Sequence, residues 1–312
     1  MPLPTPLPIL DARGRYLRTG VAVSRASTKN VFNPAGALVS VAANTPAWDC
    51  DPATGAERGL LVERASTNVL LNSATLATQS VTVSATAYTL SFYGTGSVAL
   101  SGAHTATVAG SGAYPTRTTL TFTPSAGTLT LTVSGTVQYA QLEAGSRATS
   151  YIPTTGSTAS RLADAITLAL DNWFNTTEGS AIIEATAPYY SSDLPFLMSA
   201  TDGATTNNVS VYLNATNAVG EVRAGGAAQA VITRAHNSAT TIKIGMAWKS
   251  NDVALTVAGG AVDTDTSATM PTGMTTLHIG SRNGSLHADC TIRRITLYPR
   301  RLSNADLQAM TA

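Results

Sequence analysis

Between Ala65 and Leu142 the chain carries one charged residue, Arg117, in 78 positions. Solubility in this stretch therefore rests on hydroxyls, and the hydroxyls alternate with apolar residues. In Thr118-Thr-Leu-Thr-Phe-Thr123, Leu120 and Phe122 share one face and threonines occupy the other. Thr128-Leu-Thr-Leu-Thr-Val133 repeats the pattern after a Pro-Ser-Ala-Gly turn. Period-two alternation of β-branched residues predicts antiparallel strands with one face buried and one wet. Tyr88–Tyr93 and Val137–Gln141 read as further strands, and helical periodicity is missing throughout. Many short strands without helices pack as a β-sandwich.

Composition narrows the class. Of 312 residues, 12% are charged and 44% hydrophobic, with 50 Ala, 48 Thr and 28 Ser. Disordered chains combine low hydrophobicity with high net charge, so this one is expected to fold. A net charge of +1 argues against a nucleic-acid partner, which needs a basic surface. No run approaches 18 apolar residues, so no membrane helix is expected. The start, with Pro at 2, 4, 6 and 8, has no basic region and no unbroken apolar core, which argues against a secretory signal. Cys50 and Cys290 are too few and too far apart for a disulfide framework and read as free thiols.

Proline fixes φ and removes donors, so the start reads as an extended segment. Arg13, Arg15, Arg18, Arg25 and Lys29 follow against one acid, Asp11. The fold expected is all-β: an extended N-terminal arm followed by two antiparallel β-sandwich (jelly-roll) domains. The arm spans 1–55, the first sandwich 56–152, a small-polar linker 153–163, and the second sandwich 164–312. The arm is expected to anchor the protein to a neighbouring subunit. In the second block, Ile242, Ile244, Met246 and Trp248 form an apolar stripe, followed by a turn at Ser250-Asn251 and a strand over 253–257. Ser303 with Asp306 three residues later predicts a capped terminal helix.

Catalytic signatures are sought without success: no GxSxG, HExxH, P-loop or dinucleotide fingerprint. On strands rising about 3.3 Å per residue, Glu178 and Glu184 stand roughly 20 Å apart, too far for glycoside hydrolysis. Asp263 and Asp265 stand about 6.6 Å apart, but in what reads as a solvated loop. Too few oxygens accompany that pair for calcium. His104, His236, His278 and His287 form no spaced cluster. No cofactor and no metal are expected.

Sugar faces stack on flat rings, and guanidinium forks suit carboxylates. The ligand-binding candidates are accordingly Tyr189 and Tyr190 at a strand end, with Arg293 and Arg294 in the cationic stripe completed by Arg300 and Arg301.

Several phrases resemble bacteriophage and prophage virion proteins: Val23-Ser-Arg-Ala-Ser-Thr28, Asp51-Pro-Ala-Thr-Gly55, and Gly59-Leu-Leu-Val-Glu-Arg-Ala-Ser-Thr-Asn68. The longest is Gln141-Leu-Glu-Ala-Gly-Ser-Arg-Ala-Thr-Ser-Tyr-Ile-Pro-Thr154. They flank a jelly-roll that resembles carbohydrate-binding modules. The second block, ending Tyr298-Pro-Arg-Arg-Leu-Ser-Asn-Ala-Asp-Leu-Gln308, is similar to concanavalin A-like (laminin-G-like) lectin sandwiches. The resemblance implies a non-enzymatic virion structural protein, in a tail fibre, spike or head decoration, assembled in the host cytoplasm and adhering to host surface glycans. It further implies a homo-oligomer, with a trimer favoured, contacting other virion proteins through the arm. A decoration protein without ligand and a capsule depolymerase are the competing readings. The Glu-x-Asp-x-x-Glu signature of glucanases on the same sandwich is missing, which counts against hydrolysis.

Overall fold

A computed structural model describes residues 3–186, 194–236 and 241–312. Among the described residues the chain is all-β apart from one short 3-10 turn and one terminal helix, and it builds two antiparallel sandwiches.

The larger sandwich packs a nine-stranded sheet on a seven-stranded one. In the first, Glu178–Thr186 lies between Cys290–Tyr298 and Thr241–Lys249, and Val253–Val257 pairs next to Thr241–Lys249. In the second, Phe196–Thr201 lies between Asn208–Leu213 and Thr276–Ile279. The expected stripe of Ile242, Ile244, Met246 and Trp248 points into the shared core. Gly179 makes room for the indole: a Cβ there would stand 2.4 Å from Trp248 Cζ2. The helix Asn304–Thr311 closes the chain, with Ser303 Oγ accepting from the Asp306 N–H at 3.1 Å.

The smaller sandwich packs a three-stranded sheet on a four-stranded one. Tyr88–Gly94 lies between Gly112–Phe122 and Gln138–Ala144. Opposite, Ser97–Gly102 and Gly127–Ser134 form the middle of the second sheet. Leu90, Phe92, Leu100, Leu129, Leu131 and Leu142 fill its core. The intervening threonines face outward, as period-two alternation requires.

The N-terminal segment departs from expectation. Much of residues 7–62 is not an extended arm but adds strands to the larger sandwich, while Lys29–Phe32 and Leu38–Val41 form a separate two-stranded sheet. Leu7–Asp11 pairs with Cys290–Tyr298, Ala22–Ser24 with Ala165–Ala169, and Glu57–Val62 with Cys290–Tyr298. Ile9 and Leu10 are fully buried in its core. The physical reason is that this apolar pair needs burial and the strand Cys290–Tyr298 offers it a backbone partner.

The smaller sandwich is consequently an insertion in the larger one. The two chain crossings pair with each other as Ser66–Asn68 and Ala159–Arg161, so the expected linker at 153–163 is partly a strand.

Charge gathers at this crossing. Asp164 accepts from Arg25 at 2.8 Å and from Lys29 at 2.6 Å. Lys29 also pairs with Glu63 at 3.0 Å and donates to the Leu61 carbonyl at 2.8 Å. Arg161 pairs with Glu63 at 3.0 Å and donates to the Arg64 carbonyl at 2.6 Å. All five side chains are buried. Burial alone would raise the Glu63 pKa. Arg161, Lys29 and two bonds from Ser150 outweigh it and hold the carboxyl below the usual carboxylate range. Breaking such a buried pair on one side leaves an uncompensated charge, worth roughly 3–5 kcal/mol.

Candidate functional site

The two sandwiches and the N-terminal segment enclose a cleft of about 530 Å³, within the size range of small-ligand sites. One wall comes from the outer face of the small sandwich, through Tyr93, Pro115 and Arg117. Another comes from the N-terminal segment, through Phe32, Asp49 and Arg58. Ser150, Tyr151 and Asp289 complete it beside the buried charge network.

Local structure places these groups. The strands Lys29–Phe32 and Leu38–Val41 form a hairpin that carries Phe32 to the rim. Its turn is tied to the small sandwich, because Tyr114 Oη donates to the Gly36 carbonyl at 2.6 Å. A Cβ at Gly36 would stand 2.4 Å from the Pro52 carbonyl oxygen, and its φ is +74°, so only glycine fits there. Tyr93 and Arg117 are paired across neighbouring strands, with the guanidinium carbon 5.8 Å from the ring centroid.

The wall is rich in rings. Tyr93 packs on Phe32 at 6.4 Å, on Tyr114 at 5.4 Å and on Tyr139 at 6.1 Å between centroids. Tyr139 continues to Tyr151 at 5.3 Å. Tyr93 and Tyr151 are buried, while Phe32 is half-buried and offers a ring surface at the cleft.

Three carboxylates line the cleft, and two are committed. Glu63 accepts from the Ser150 N–H at 2.6 Å and its hydroxyl at 2.8 Å, besides its two cations. Asp289 accepts from the Arg64 N–H at 2.7 Å and pairs with the guanidinium groups of Arg64 and Arg147. Asp49 differs. It accepts from the Phe32 N–H at 2.8 Å, and Arg58 stays 3.7 Å away, preferring Asp51 at 2.8 Å. Burial pushes the Asp49 pKa up to about 6, against the Phe32 bond and the Arg58 charge. One carboxyl that can carry a proton at neutral pH, with no uncommitted second one among the described residues of the cleft lining, does not make an acid–base pair.

The candidates from sequence fall elsewhere. Arg293 faces Glu184 at 3.4 Å and Arg294 faces Asp11 at 3.3 Å, both on the strand Cys290–Tyr298 and outside the cleft lining. Arg301 pairs with Asp252 at 2.7 Å. Tyr189 and Tyr190 lie outside the described residues. Asp263 sits on a short edge strand, paired with Arg234 at 3.0 Å, and Asp265 accepts from Ser267. The solvated loop expected there is thus partly strand. Glu178 accepts from the Arg301 N–H at 3.1 Å. His104 stacks on Phe122 at 4.5 Å, and burial lowers the pKa of His278 and His287. Among the described residues no three His, Cys, Asp or Glu side chains are grouped to hold a metal.

Sequence reasoning missed Phe32, Asp49 and Tyr93 as cleft residues. They come from segments that are distant along the chain, so no local motif joins them. One signal was present in Arg117, the single charge of a 78-residue stretch.

No protein-family model matches the chain, and no curated protein matches it. Solved structures do. The CBM40 of the Ruminococcus gnavus IT-sialidase, bound to alpha2,3 sialyllactose, is similar over 44% of this chain and 84% of its own, with 19% identity and a TM-score of 0.38. The binding domain of botulinum neurotoxin DC in complex with rat synaptotagmin II is similar over 48% of this chain and 40% of its own, with 11% identity and a TM-score of 0.38. A botulinum neurotoxin type C structure, described by its interaction with two ganglioside molecules, is similar over 48% and 39%, with 10% identity and a TM-score of 0.39.

Proposed function

We propose that this chain is a non-enzymatic glycan-binding protein whose ligand occupies the cleft between the two sandwiches. The observation that carries the reading is the wall itself, where the half-buried Phe32 ring stands beside the polar groups of Asp49, Arg58 and Arg117. Rings pack against the apolar faces of a sugar while side-chain donors and acceptors meet its hydroxyls. The commitment of Glu63 and Asp289 to fixed cations favours binding over hydrolysis.

The resemblance of its phrases to virion proteins supports a wider setting, on the surface of a bacteriophage particle as a fibre, spike or decoration protein. There, weak single sites gain avidity from many copies. A homotrimer is the assembly this setting favours, and light scattering on the purified chain tests it.

A second reading, a decoration protein without ligand, is favoured by one observation. Arg25 and Glu63 of the resembling phrases belong to the buried charge at the crossing, and Arg147 pairs with Asp289 in the cleft wall. An array of bacterial surface glycans probed with a multivalent form of the chain separates the two. Binding that free glycan competes away supports the adhesive reading. A blank array at high valency rejects it.

A further inference from the structure

Among the described residues, Arg117 is the one cation of the cleft lining that no ion pair joins to a carboxylate. Arg58 pairs with Asp51 and faces Asp49. Two of the three lining acids are matched as well: Glu63 has Lys29 and Arg161, and Asp289 has Arg64 and Arg147, while Asp49 keeps only Arg58 at 3.7 Å. Arg117 instead bonds neutral oxygens, the Thr149 carbonyl at 2.8 Å and Ser91 Oγ at 2.7 Å. A guanidinium carries five N–H donors. Two are spent here, and the Nε donor is sealed from solvent without a partner.

Taking a cation partly out of water without a counter-charge is unfavourable, so such a group is held in place by its surroundings. Its surroundings are the Tyr93 ring and the two oxygens, which leave the planar fork in a fixed orientation. A fixed, partly desolvated fork without a carboxylate is what a carboxylate ligand meets with the least reorganisation. The placement is not a by-product of a basic surface, since no other charge occurs between Ala65 and Leu142.

We propose that the cleft selects carboxylate-bearing sugars, with Arg117 as the residue that reads the acid. This rests on the glycan-binding reading above. The carboxylate pairs with the unspent guanidinium donors while the rest of the sugar lies along the Phe32 side of the cleft. No covalent step is involved.

The test titrates the full chain with uronic-acid tetrasaccharides (oligogalacturonate, oligomannuronate and hyaluronan) and with the same sugars after carboxyl reduction. At least one acidic form binds about tenfold or more tighter than its reduced partner, the usual scale for a charge-assisted contact. Arg117→Gln removes that preference, and Arg117→Lys, which keeps the charge without the fork, retains part of it. A thermal melt shows whether each variant is folded, and the wild-type comparison stands without either variant. Equal binding of acidic and reduced sugars overturns the inference and leaves the glycan-binding reading intact. If reduced and acidic sugars both fail to bind, both fall. An acid preference that survives unchanged in folded Arg117→Gln removes Arg117 from the role.

Discussion

The ammonium of Lys29 stands 2.6 Å from the carboxylate of Asp164, across 135 positions of the chain. The pair links the N-terminal segment to the point where the chain re-enters the larger sandwich after building the smaller one. Asp164 also accepts from Arg25 and from the Glu63 N–H at 2.8 Å each, so it is the hub of the crossing. The cleft lies beside this hub, since Glu63 both lines it and donates its N–H to Asp164.

Removing the hub tests its role. Asp164→Ala leaves Arg25 and Lys29 buried without their shared acceptor, and about 3–5 kcal/mol of stability is lost. Urea denaturation reads the loss as a lower midpoint. The insertion is expected to unfold together with the larger sandwich, in one transition. Two separate transitions, with the midpoint unmoved in the variant, would contradict a junction held by these charges.

Asp49 makes stability depend on pH. Its folded pKa of about 6 lies above the ordinary value of 3.8, so the native state binds the proton more tightly. Stability is therefore greatest at low pH from this group and declines as pH rises from about 4 to 6. Asp49→Asn keeps an oxygen for the Phe32 N–H and has no charge to bury. The variant is expected to match the wild type near pH 4 and to exceed it by about 1–3 kcal/mol at pH 8. A gain that does not grow with pH would rule out a buried Asp49 charge as its cause.

Much of this architecture is legible from residue order, and the reasons are local. Thr118–Thr123 and Thr128–Thr132 alternate because their strands have one wet face. Trp248 continues a stripe at period two and is buried where that stripe leads, and Ser303 caps the helix that its spacing with Asp306 predicts. What is not legible depends on partners distant in sequence. Prolines 2 to 8 suggest an extended arm, and Leu7–Asp11 is indeed extended. That it is a sheet strand follows only from Cys290–Tyr298 at the other end of the chain. The cleft suffers the same limitation: Phe32, Tyr93 and Asp289 meet only after the insertion has folded back on its host.

Close packing around the core tryptophan gives a steric prediction. Gly179→Ala places a methyl against the Trp248 ring, and relief requires the indole or its strand to shift. Overpacking of this kind costs about 1–3 kcal/mol. Thermal melting should show the loss, and intrinsic tryptophan fluorescence should change with it. A variant that melts with the wild type would show that Trp248 is less tightly held than this packing requires.

Tyr114 holds the rim. Tyr114→Phe removes its bond to the Gly36 carbonyl and costs about 1 kcal/mol of stability. Because the bond ties the hairpin that carries Phe32 to the small sandwich, the greater effect falls on ligand affinity, through a rim no longer held at one spacing. Stability and affinity falling by the same factor would deny the bond any positioning role.

The central claim is that the cleft between the sandwiches is the glycan site, and Ala148, one of its lining residues, allows it to be plugged. Ala148→Trp fills the space while leaving the charge network and both cores untouched. Biolayer interferometry on immobilised bacterial surface polysaccharide, with wild type and plugged protein melting alike, measures the consequence. The account predicts saturable binding by the wild type and a loss of about tenfold or more in the plugged form. Equal binding by the two, or no binding by the wild type, would contradict it.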